Sequence, residues 1–260
     1  MKKIAFAVGC HPDDIEFMMS GTLIRLKDAG YEIHYMNVAN GSCGSDTLDR
    51  DAIVAVRREE SIAAAELIGA VYHESISDDL EVFYERELLF RMGAVIREVS
   101  PDIILTHSPT EYMEDHANTC RLAVSAAFSR GMRNFKTIPE TAPITKPLTI
   151  YHCLPYGLQT QLRMPVNADM YIDVTDCIDK KAEMLSCHKS QKEWLDVSQG
   201  MDSYLTTMSE QCKAMGDMSG EYNYAEGWCQ HLHLGLSCEE DNPLKDLKVE
   251  KEVLSADDAD

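Results

Sequence analysis

Short apolar runs alternate along this chain with longer segments in which apolar residues recur at helical spacing. The short runs predict buried strands at residues 4–8, 31–38, 71–73, 103–106, 148–153 and 170–174. The longer segments predict helices at 15–29, 50–68, 85–99, about 115–129 and 175–188, the last capped by Thr175, with interrupted helix in 191–215. Alternating strands and helices indicate βαβ units. We therefore predict an α/β fold with a Rossmann-like, mostly parallel sheet flanked by helices in three layers.

Length and composition are those of an ordinary globular protein. The chain has 260 residues, of which 45% are hydrophobic and 26% are charged, so it can bury a sizeable core. No linker or internal repeat divides it. We expect a single domain over residues 1–238, followed by a charged, aromatic-poor tail over 239–260.

Charge and cysteine usage narrow the classes of partner. The formal net charge of -20 disfavours nucleic acid and anionic membrane surfaces, and it suits a small neutral or zwitterionic substrate. The nine cysteines are odd in number and contain no Cys-x-x-Cys pair, so we expect reduced thiols in a cytoplasmic protein and no cysteine-based zinc site.

A polar cluster, His11-Pro12-Asp13-Asp14, directly follows the first predicted strand. A hydrolytic metal site needs a few nitrogen or oxygen ligands, an open position for water and a base beside that water. His11 and Asp14 can supply two ligands from one turn, and Asp13 is then free to accept a proton. The alternative interpretation is that either aspartate simply caps the next helix.

A second cluster follows the predicted strand at 103–106 and should lie at the same edge of the sheet. His116 is the third candidate ligand, and the adjacent Asp115 can orient a histidine ring. His107 is a candidate site residue, although a buried, hydrogen-bonded imidazole is an equal alternative. Two histidines and one aspartate suit Zn²⁺, or Fe²⁺ under reducing conditions.

Several ordered motifs resemble the PIG-L/LmbE-like deacetylases, a family that includes N-acetylglucosaminyl deacetylases. The resemblance covers roughly residues 2–228. The first motif is His11-Pro12-Asp13-Asp14; with Ile15-Glu16 and Ser20-Gly21-Thr22 it is similar to the bacterial, bacillithiol-deacetylase-like branch. The next three are the loop Asn40–Ser45, Arg57 with Glu60, and Asp115-His116. The last two are Lys181 with Leu185, His188, Ser190 and Gln191, and Ala225-Glu226-Gly227-Trp228.

The resemblance implies a zinc-dependent removal of an N-acetyl group from a small N-acetylglucosamine-type sugar or glycoside. It implies substrate contacts by Arg57 and by the loop that holds Gly41 and Ser42, with His107 as a further candidate for substrate binding. Without the resemblance, Arg57 would be read as a solvated side chain on a helix. Family members often form homo-oligomers, which this chain is expected to do as well.

One departure from the family pattern concerns the proton chemistry of the site. The family often has a histidine three residues before the last ligand, where this chain has Met113. A thioether cannot hold an oxyanion or protonate an amine. His107 and His188 are the candidates to take this role, so we group His188 with Asp13 and Asp115 as candidate catalytic residues.

Three other functions are weighed against this hypothesis. An amidase acting on thiol conjugates or another small amide would use the same metal site, and Met113 keeps open a metal-binding protein without turnover. A dinucleotide-dependent oxidoreductase is disfavoured because no Gly-x-Gly-x-x-Gly turn follows the first strand.

Overall fold

A seven-stranded sheet forms the centre of the molecule in the computed structural model, which describes residues 2–191, 204–245 and 247. The strands are β1 (Ile4–Gly9), β2 (Glu32–Asn37), β3 (Val71–His73), β4 (Ile103–Thr106), β5 (Thr149–Cys153), β6 (Met170–Asp173) and β7 (Ala225–Gln230). Their order across the sheet is β3-β2-β1-β4-β5-β7-β6. Strands β1 to β5 pair in parallel, whereas β7 is antiparallel to both of its neighbours.

Alternating strand residues fill two separate hydrophobic cores, one on each face of the sheet. Ala5 and Ala7 of β1 point into the first core, and Phe6 and Val8 point into the second. The central strands are buried on both faces, which is why they read as nearly continuous apolar runs.

Helices cover both faces and produce the predicted three layers. They are α1 (Asp14–Met18), α2 (Ser20–Asp28), α3 (Arg50–Glu66), α4 (Arg86–Val99), α5 (Glu114–Ser129), α6 (Ile178–Leu185) and α7 (Tyr204–Ser219). Apolar residues of α1, α2, α6 and α7 pack in the first core, whereas those of α4 and α5 pack in the second. The prediction of an α/β fold with a mostly parallel sheet is confirmed.

Two local predictions were wrong, and one strand was missed. The helix predicted over 15–29 is two helices that meet at Met19, whose φ of -132° is not helical. Thr175 does not cap a helix, because it begins a 3₁₀ turn (Thr175–Cys177) that precedes α6. Strand β7 was not predicted, since its Glu and Gly are poor strand formers. Part of the predicted helical region 191–215 lies outside the described residues.

The start of the predicted tail packs against the domain. Leu244 belongs to the first core, and Asn242 Oδ1 accepts a hydrogen bond of 2.9 Å from the Tyr151 hydroxyl. Most of the segment 239–260 beyond these residues lies outside the described part. Across the described ranges, none of the helices has the length and apolar character needed to cross a membrane.

Candidate metal centre

The two polar clusters meet where β1 and β4 end side by side. Val8 of β1 is paired with Thr106 of β4, so the segments that follow these strands leave the sheet at the same edge. From β1 the chain continues to β2 on one side of the sheet, whereas from β4 it continues to β5 on the other side. Parallel sheets open a crevice for ligands at such a reversal of strand order.

His11, Asp14 and His116 place three donor atoms at nearly equal separations. His11 Nδ1 lies 3.5 Å from Asp14 Oδ2 and 3.3 Å from His116 Nε2, and His116 Nε2 lies 3.3 Å from Asp14 Oδ2. Donors bound at about 2.0–2.1 Å around a tetrahedral Zn²⁺ would be about 3.3–3.4 Å apart. The three residues therefore fit a metal ion of this kind.

Each of these histidines has a carboxylate on its other ring nitrogen. Asp115 Oδ2 lies 3.2 Å from His11 Nε2, and Glu111 Oε2 lies 3.5 Å from His116 Nδ1. Carboxylates in this position select the histidine tautomer and orient the ring toward the metal. Asp115 contacts His11 as its predicted orienting role requires. Glu111 was missed, because nothing in its local sequence separates it from an ordinary loop residue.

His107 is close to Asp14 but is poorly placed to bind a metal. Its Nε2 lies 3.4 Å from Asp14 Oδ2, yet the same nitrogen accepts the Cys10 backbone N–H at 2.9 Å. The lone pair that a metal needs is therefore occupied. His107 is fully buried and stacks on His116 with the ring centroids 4.2 Å apart. His107 does not line the cavity, so its predicted contact with substrate stays a prediction.

The surrounding carboxylates favour positive charge at this position. Burial lowers the pKa of His116, but the opposing effects of Asp14 and Glu111 raise it overall to about 10. Burial raises the pKa of Asp14, but His116 and His107 hold it well below its usual range. A divalent cation would meet the same field.

Asp13 stands beside the three donors in a strained backbone conformation. Its φ is 112°, a region that residues other than glycine rarely adopt and that often marks functional sites. It precedes α1 but makes no side-chain capping bond, so the capping interpretation is wrong. Its Oδ2 accepts a hydrogen bond of 2.6 Å from the Tyr204 hydroxyl and lies 3.6 Å from Arg57 Nη2. Burial raises the pKa of Asp13, and Arg57 opposes this effect.

Arg57 is part of the site rather than a solvated helix residue. Only 3% of it is exposed, and its Nη2 donates a hydrogen bond of 2.5 Å to the Pro12 carbonyl. The loop after β2 packs directly on its side chain, since a Cβ at Gly41 would lie 2.5 Å from Arg57 Cδ and one at Gly44 would overlap Nη1. Glycine at both positions allows the guanidinium to reach the turn that carries Asp13.

Gly41 and Ser42, the predicted substrate contacts, both bind Asp79 in this structure. The Gly41 N–H donates to Asp79 Oδ1 at 2.7 Å, and Ser42 Oγ accepts the Asp79 N–H at 3.1 Å. These two residues therefore hold Asp79 in place, and it is the next part of the loop, Cys43 and Gly44, that borders the cavity.

A cavity of about 510 Å³ opens above the three donors. Its polar wall includes Asp13, Asp14 and Arg57, and its apolar wall includes Met18 and Met113. The sequence assigned no role in the site to eight other residues that line the cavity, namely Phe17, Asp79, Leu80, Glu111, Tyr112, Tyr156, Gln191 and Tyr204.

His188 lies below the cavity and does not reach its surface. It is fully buried, with Nε2 3.2 Å from Glu16 Oε2, and the hydroxyl of Tyr35 donates to the same oxygen at 3.1 Å. His188 is not among the residues that line the cavity, and neither is His107. A catalytic role of either histidine therefore stays a prediction.

The two late motifs form a buried structural unit. Lys181 Nζ lies 2.6 Å from Glu226 Oε1, and both side chains are buried. The Glu226 carboxylate also accepts the backbone N–H groups of Gly21 and Thr22 at 2.9 and 2.7 Å, while Trp228 Nε1 donates to Thr22 Oγ1 at 2.8 Å. These motifs therefore anchor the start of α2, which follows the turn that carries the metal donors.

Fold and site together define a class: an α/β protein with a candidate His/Asp/His metal site, an adjacent aspartate and an open cavity at the edge of a mostly parallel sheet. Comparison with known proteins agrees with this class. Residues 6–127 match the family model described as PIG-L, GlcNAc-PI de-N-acetylase. Over this stretch the chain is similar to the PIG-L deacetylases, and its curated relatives include deacetylases.

Curated relatives with different activities match most of the chain. A diacetylchitobiose deacetylase of Thermococcus kodakarensis is 29% identical over 84% of this chain and 79% of its own. A 4-oxalmesaconate hydratase of Pseudomonas putida is 26% identical over 74% of this chain and 75% of its own. The structure of the N,N'-diacetylchitobiose deacetylase from Pyrococcus horikoshii superposes with a TM-score of 0.74 at 23% identity, covering 89% of this chain and 85% of that one.

Proposed function

We propose that this protein is a zinc-dependent hydrolase that removes the N-acetyl group from a small N-acetylglucosamine-type sugar or glycoside. The observation that carries the proposal is the set of three donors, His11, Asp14 and His116, with the carboxylate of Asp13 beside them in the lining of the same cavity. A metal held by these donors would supply Lewis acidity toward the amide carbonyl and toward water. The nitrogen and oxygen donor set suits Zn²⁺, and Fe²⁺ is the alternative.

Asp13 is the proton acceptor in this proposal. It is the one carboxylate of the His11–Asp14 turn that is not directed at the other donors, and it faces the cavity. It takes the proton of the attacking water and can pass that proton to the leaving amine, for which no histidine is available at position 113. The Tyr204 hydroxyl, at 2.6 Å, fixes one oxygen of Asp13, so the other oxygen is the one directed to the reaction.

Arg57 positions Asp13 and borders the space for the substrate. Its guanidinium, held by the Pro12 carbonyl, keeps positive charge 3.6 Å from Asp13 Oδ2. This charge stabilises the carboxylate form that accepts a proton, and the remaining N–H groups can donate to a sugar hydroxyl.

We also propose that the protein works in the cytoplasm, because a reducing compartment suits the free cysteines near the site, Cys10 and Cys43.

A hydratase function is the second candidate because one relative bears that name. Both reactions add water to a polarised carbon, so the three donors do not separate them. The walls of the cavity do, because Asp13, Asp79 and Glu111 face a single lining arginine among the described residues. Such a wall disfavours a polycarboxylate substrate and is compatible with a neutral amide. Other small amides, including thiol conjugates, remain within the proposal as outcomes of its test.

The test combines metal content with product release. The wild type, His116→Ala and the control His233→Ala, which changes a histidine outside the cavity, are purified and loaded with Zn²⁺. We expect about one tightly bound metal per chain and acetate release from N-acetylglucosamine glycosides in the wild type and the control. His116→Ala should lose both.

The other outcomes are equally informative. Metal binding without acetate release, but with release of amine from other amides, would move the substrate while keeping the reaction. Metal binding with hydration of 4-oxalmesaconate, but without acetate release, would replace the proposed reaction by a hydratase reaction. Absence of metal in the wild type after reconstitution would refute the proposal.

A further inference from the structure

Four aromatic rings form a continuous arc along one wall of the cavity. The ring of Tyr112 lies beside the candidate ligand His116, with the ring centroids 5.6 Å apart. From Tyr112 the successive centroids are 5.9 Å apart to Tyr156, 5.4 Å from Tyr156 to Phe17 and 6.0 Å from Phe17 to Tyr204. The arc ends at Asp13, which accepts the hydroxyl of Tyr204. We call Tyr112, Tyr156, Phe17 and Tyr204 the aromatic arc. It therefore links the metal donors to the proposed base.

The inner and outer halves of the arc differ in exposure. Phe17 and Tyr204 are buried and belong to the first core, so the arc is rigidly supported. Tyr112 and Tyr156 are 53% and 38% exposed. Apolar surface of this kind, beside a polar site, is typical of a place where a ligand completes the packing.

Two further apolar side chains extend this wall. Met113 lines the cavity next to Tyr112, in the position where the family often has a histidine. Leu80 also lines it and is 65% exposed, in a left-handed conformation with φ of 62°. Its backbone N–H donates to Asp115 Oδ2 at 2.7 Å. The carboxylate that orients His11 therefore also holds an apolar residue at the mouth of the cavity.

Two charged residues also border the cavity. Arg57 and Asp79 lie beside the Cys43–Gly44 loop, where Arg57 reaches the turn after β1. A free amino sugar, which is polar on all its edges, would use these residues and leave the exposed rings of Tyr112 and Tyr156 in water. The aromatic arc needs a different chemical group.

Building on the proposed function, we propose that the aromatic arc determines substrate specificity by holding a flat, apolar group of the substrate. Such a group can come from two sources, an aromatic substituent at the glycosidic position or an aromatic acyl group on the amine. The chemistry is the same in both cases, because flat rings stack on aromatic side chains in offset or edge-to-face geometry. Substrates with this group are hydrolysed in preference to those with small polar substituents.

The test compares three substrates: the methyl and the phenyl glycoside of N-acetylglucosamine, and methyl N-benzoylglucosaminide. Each is assayed with the zinc-loaded wild type, with Tyr156→Ala and with Tyr156→Phe. Phe128→Ala, which removes a half-exposed ring that does not line the cavity, is the control. Tyr156 is chosen because it is partly exposed and lies in a 3₁₀ turn, so its loss should leave the fold intact.

We expect the wild type to prefer one of the two aromatic substrates over the methyl glycoside. Tyr156→Ala should reduce kcat/KM for that substrate about 2- to 12-fold, through KM rather than kcat, which corresponds to the loss of one aromatic pair. The methyl glycoside should change little. Tyr156→Phe should keep the preference, and Phe128→Ala should behave as the wild type. The substrate that is preferred identifies the glycosidic or the acyl source.

Equal kcat/KM for all three substrates, or an equal loss on all three in Tyr156→Ala, would overturn the inference while leaving the proposed hydrolysis in place. If no substrate is hydrolysed, the proposed function fails by itself. The arc is then tested by calorimetric titration of the zinc-loaded protein with phenyl and methyl glucosaminide. Tighter binding of the phenyl compound that is lost in Tyr156→Ala supports the inference, and equal binding of the two compounds overturns it.

Discussion

Two carboxylates determine which nitrogen of each candidate ligand faces the metal position. Asp115 contacts Nε2 of His11 and Glu111 contacts Nδ1 of His116, so His11 presents Nδ1 and His116 presents Nε2. The two histidines would therefore bind a metal ion through different ring nitrogens. The choice at His11 does not follow from the sequence, since Asp115 belongs to a segment that meets His11 only in the folded chain.

Replacement of Glu111 by glutamine is expected to weaken zinc binding about 10- to 100-fold, because His116 loses the charge that orients it and raises its basicity. Competition with a chromophoric chelator measures this change. Glu114→Gln, two residues before His116, is the matched control and should keep the wild-type affinity. An unchanged affinity in Glu111→Gln would show that the contact does not support the site.

Replacement of Asp13 by asparagine is expected to lower kcat about 10²- to 10⁴-fold while one zinc ion per chain is retained. The amide keeps the size of the side chain and can still contact Tyr204, but it cannot accept a proton at neutral pH. Metal analysis and steady-state kinetics on the same preparation check both parts. Full activity in this variant would remove Asp13 from the proposed role.

At the residue scale, the sequence indicated His11, Asp13, Asp14 and His116 because each lies in a polar cluster that follows a recognisable strand. It did not indicate Tyr204, which is 191 positions away from the Asp13 that it contacts. Nor did it separate His107 from His116. Both follow β4, and only the backbone N–H of Cys10, which occupies Nε2 of His107, excludes that residue as a ligand.

At the scale of elements, a buried ion pair joins α6 and β7 to the start of α2. Glu226 neutralises Lys181 and at the same time accepts two backbone N–H groups from the first turn of α2. Those groups have no partner within the helix, so the carboxylate acts as a cap supplied from a distant strand. This contact also explains Gly21, since a Cβ there would lie 2.9 Å from Glu226 Oε1.

Glu226→Gln is therefore expected to destabilise the protein by about 3–5 kcal/mol, because it leaves the Lys181 charge buried without a partner. Urea unfolding followed by circular dichroism measures the change. The double variant Lys181→Met/Glu226→Gln should lose less than the sum of the two single variants, which tests the coupling between them. Additive losses would mean that the pair acts as two separate residues.

The pairing of β2 with β3 contains a histidine that resists protonation. His73 Nε2 lies 2.8 Å from His34 Nδ1, and the other nitrogen of His34 lies 3.1 Å from Glu32. Burial and the neighbouring His34 lower the pKa of His73 to about 4. The unfolded chain binds this proton near the ordinary pKa of about 6.5. The contribution of His73 to the free energy of unfolding is thus fully present above pH 6.5 and is lost as the pH falls toward 4.

We therefore expect His73→Gln to reduce the loss of stability between pH 7 and pH 5. Urea midpoints for the wild type and the variant at the two pH values measure this difference. His233→Gln is the control and should lose as much stability as the wild type. If His73→Gln also loses the wild-type amount, the side chain titrates normally in the folded state.

At the scale of the whole molecule, a metal ion should act as a clamp between the segments that follow β1 and β4. These segments are about a hundred residues apart in the chain, and only the folded protein brings their donors together. Zinc at about one hundred times its dissociation constant should add about 2.7 kcal/mol of stability, which raises Tm by about 5–11 °C in a protein of this size. Thermal scans with zinc and with excess chelator measure the shift. Asp14→Ala should show no shift, and Asp217→Ala should show the full one.

The sequence by itself determined the architecture and the chemical class of the site. Apolar runs of strand length between amphipathic segments specify a parallel sheet covered on both faces, because such runs can be buried only there. The turn after β1 then placed two candidate ligands and a base within four residues, where local geometry alone keeps them together.

The tertiary structure decided what depends on distant segments meeting in space. After the break at Met19, the first N–H groups of α2 bind Glu226, and β7 forms between β5 and β6 despite a poor strand sequence. The same holds for the ring orientation of His11, the burial of His107 and His188, and the aromatic arc. Their energies come from burial and pairing across the chain, which no local pattern records.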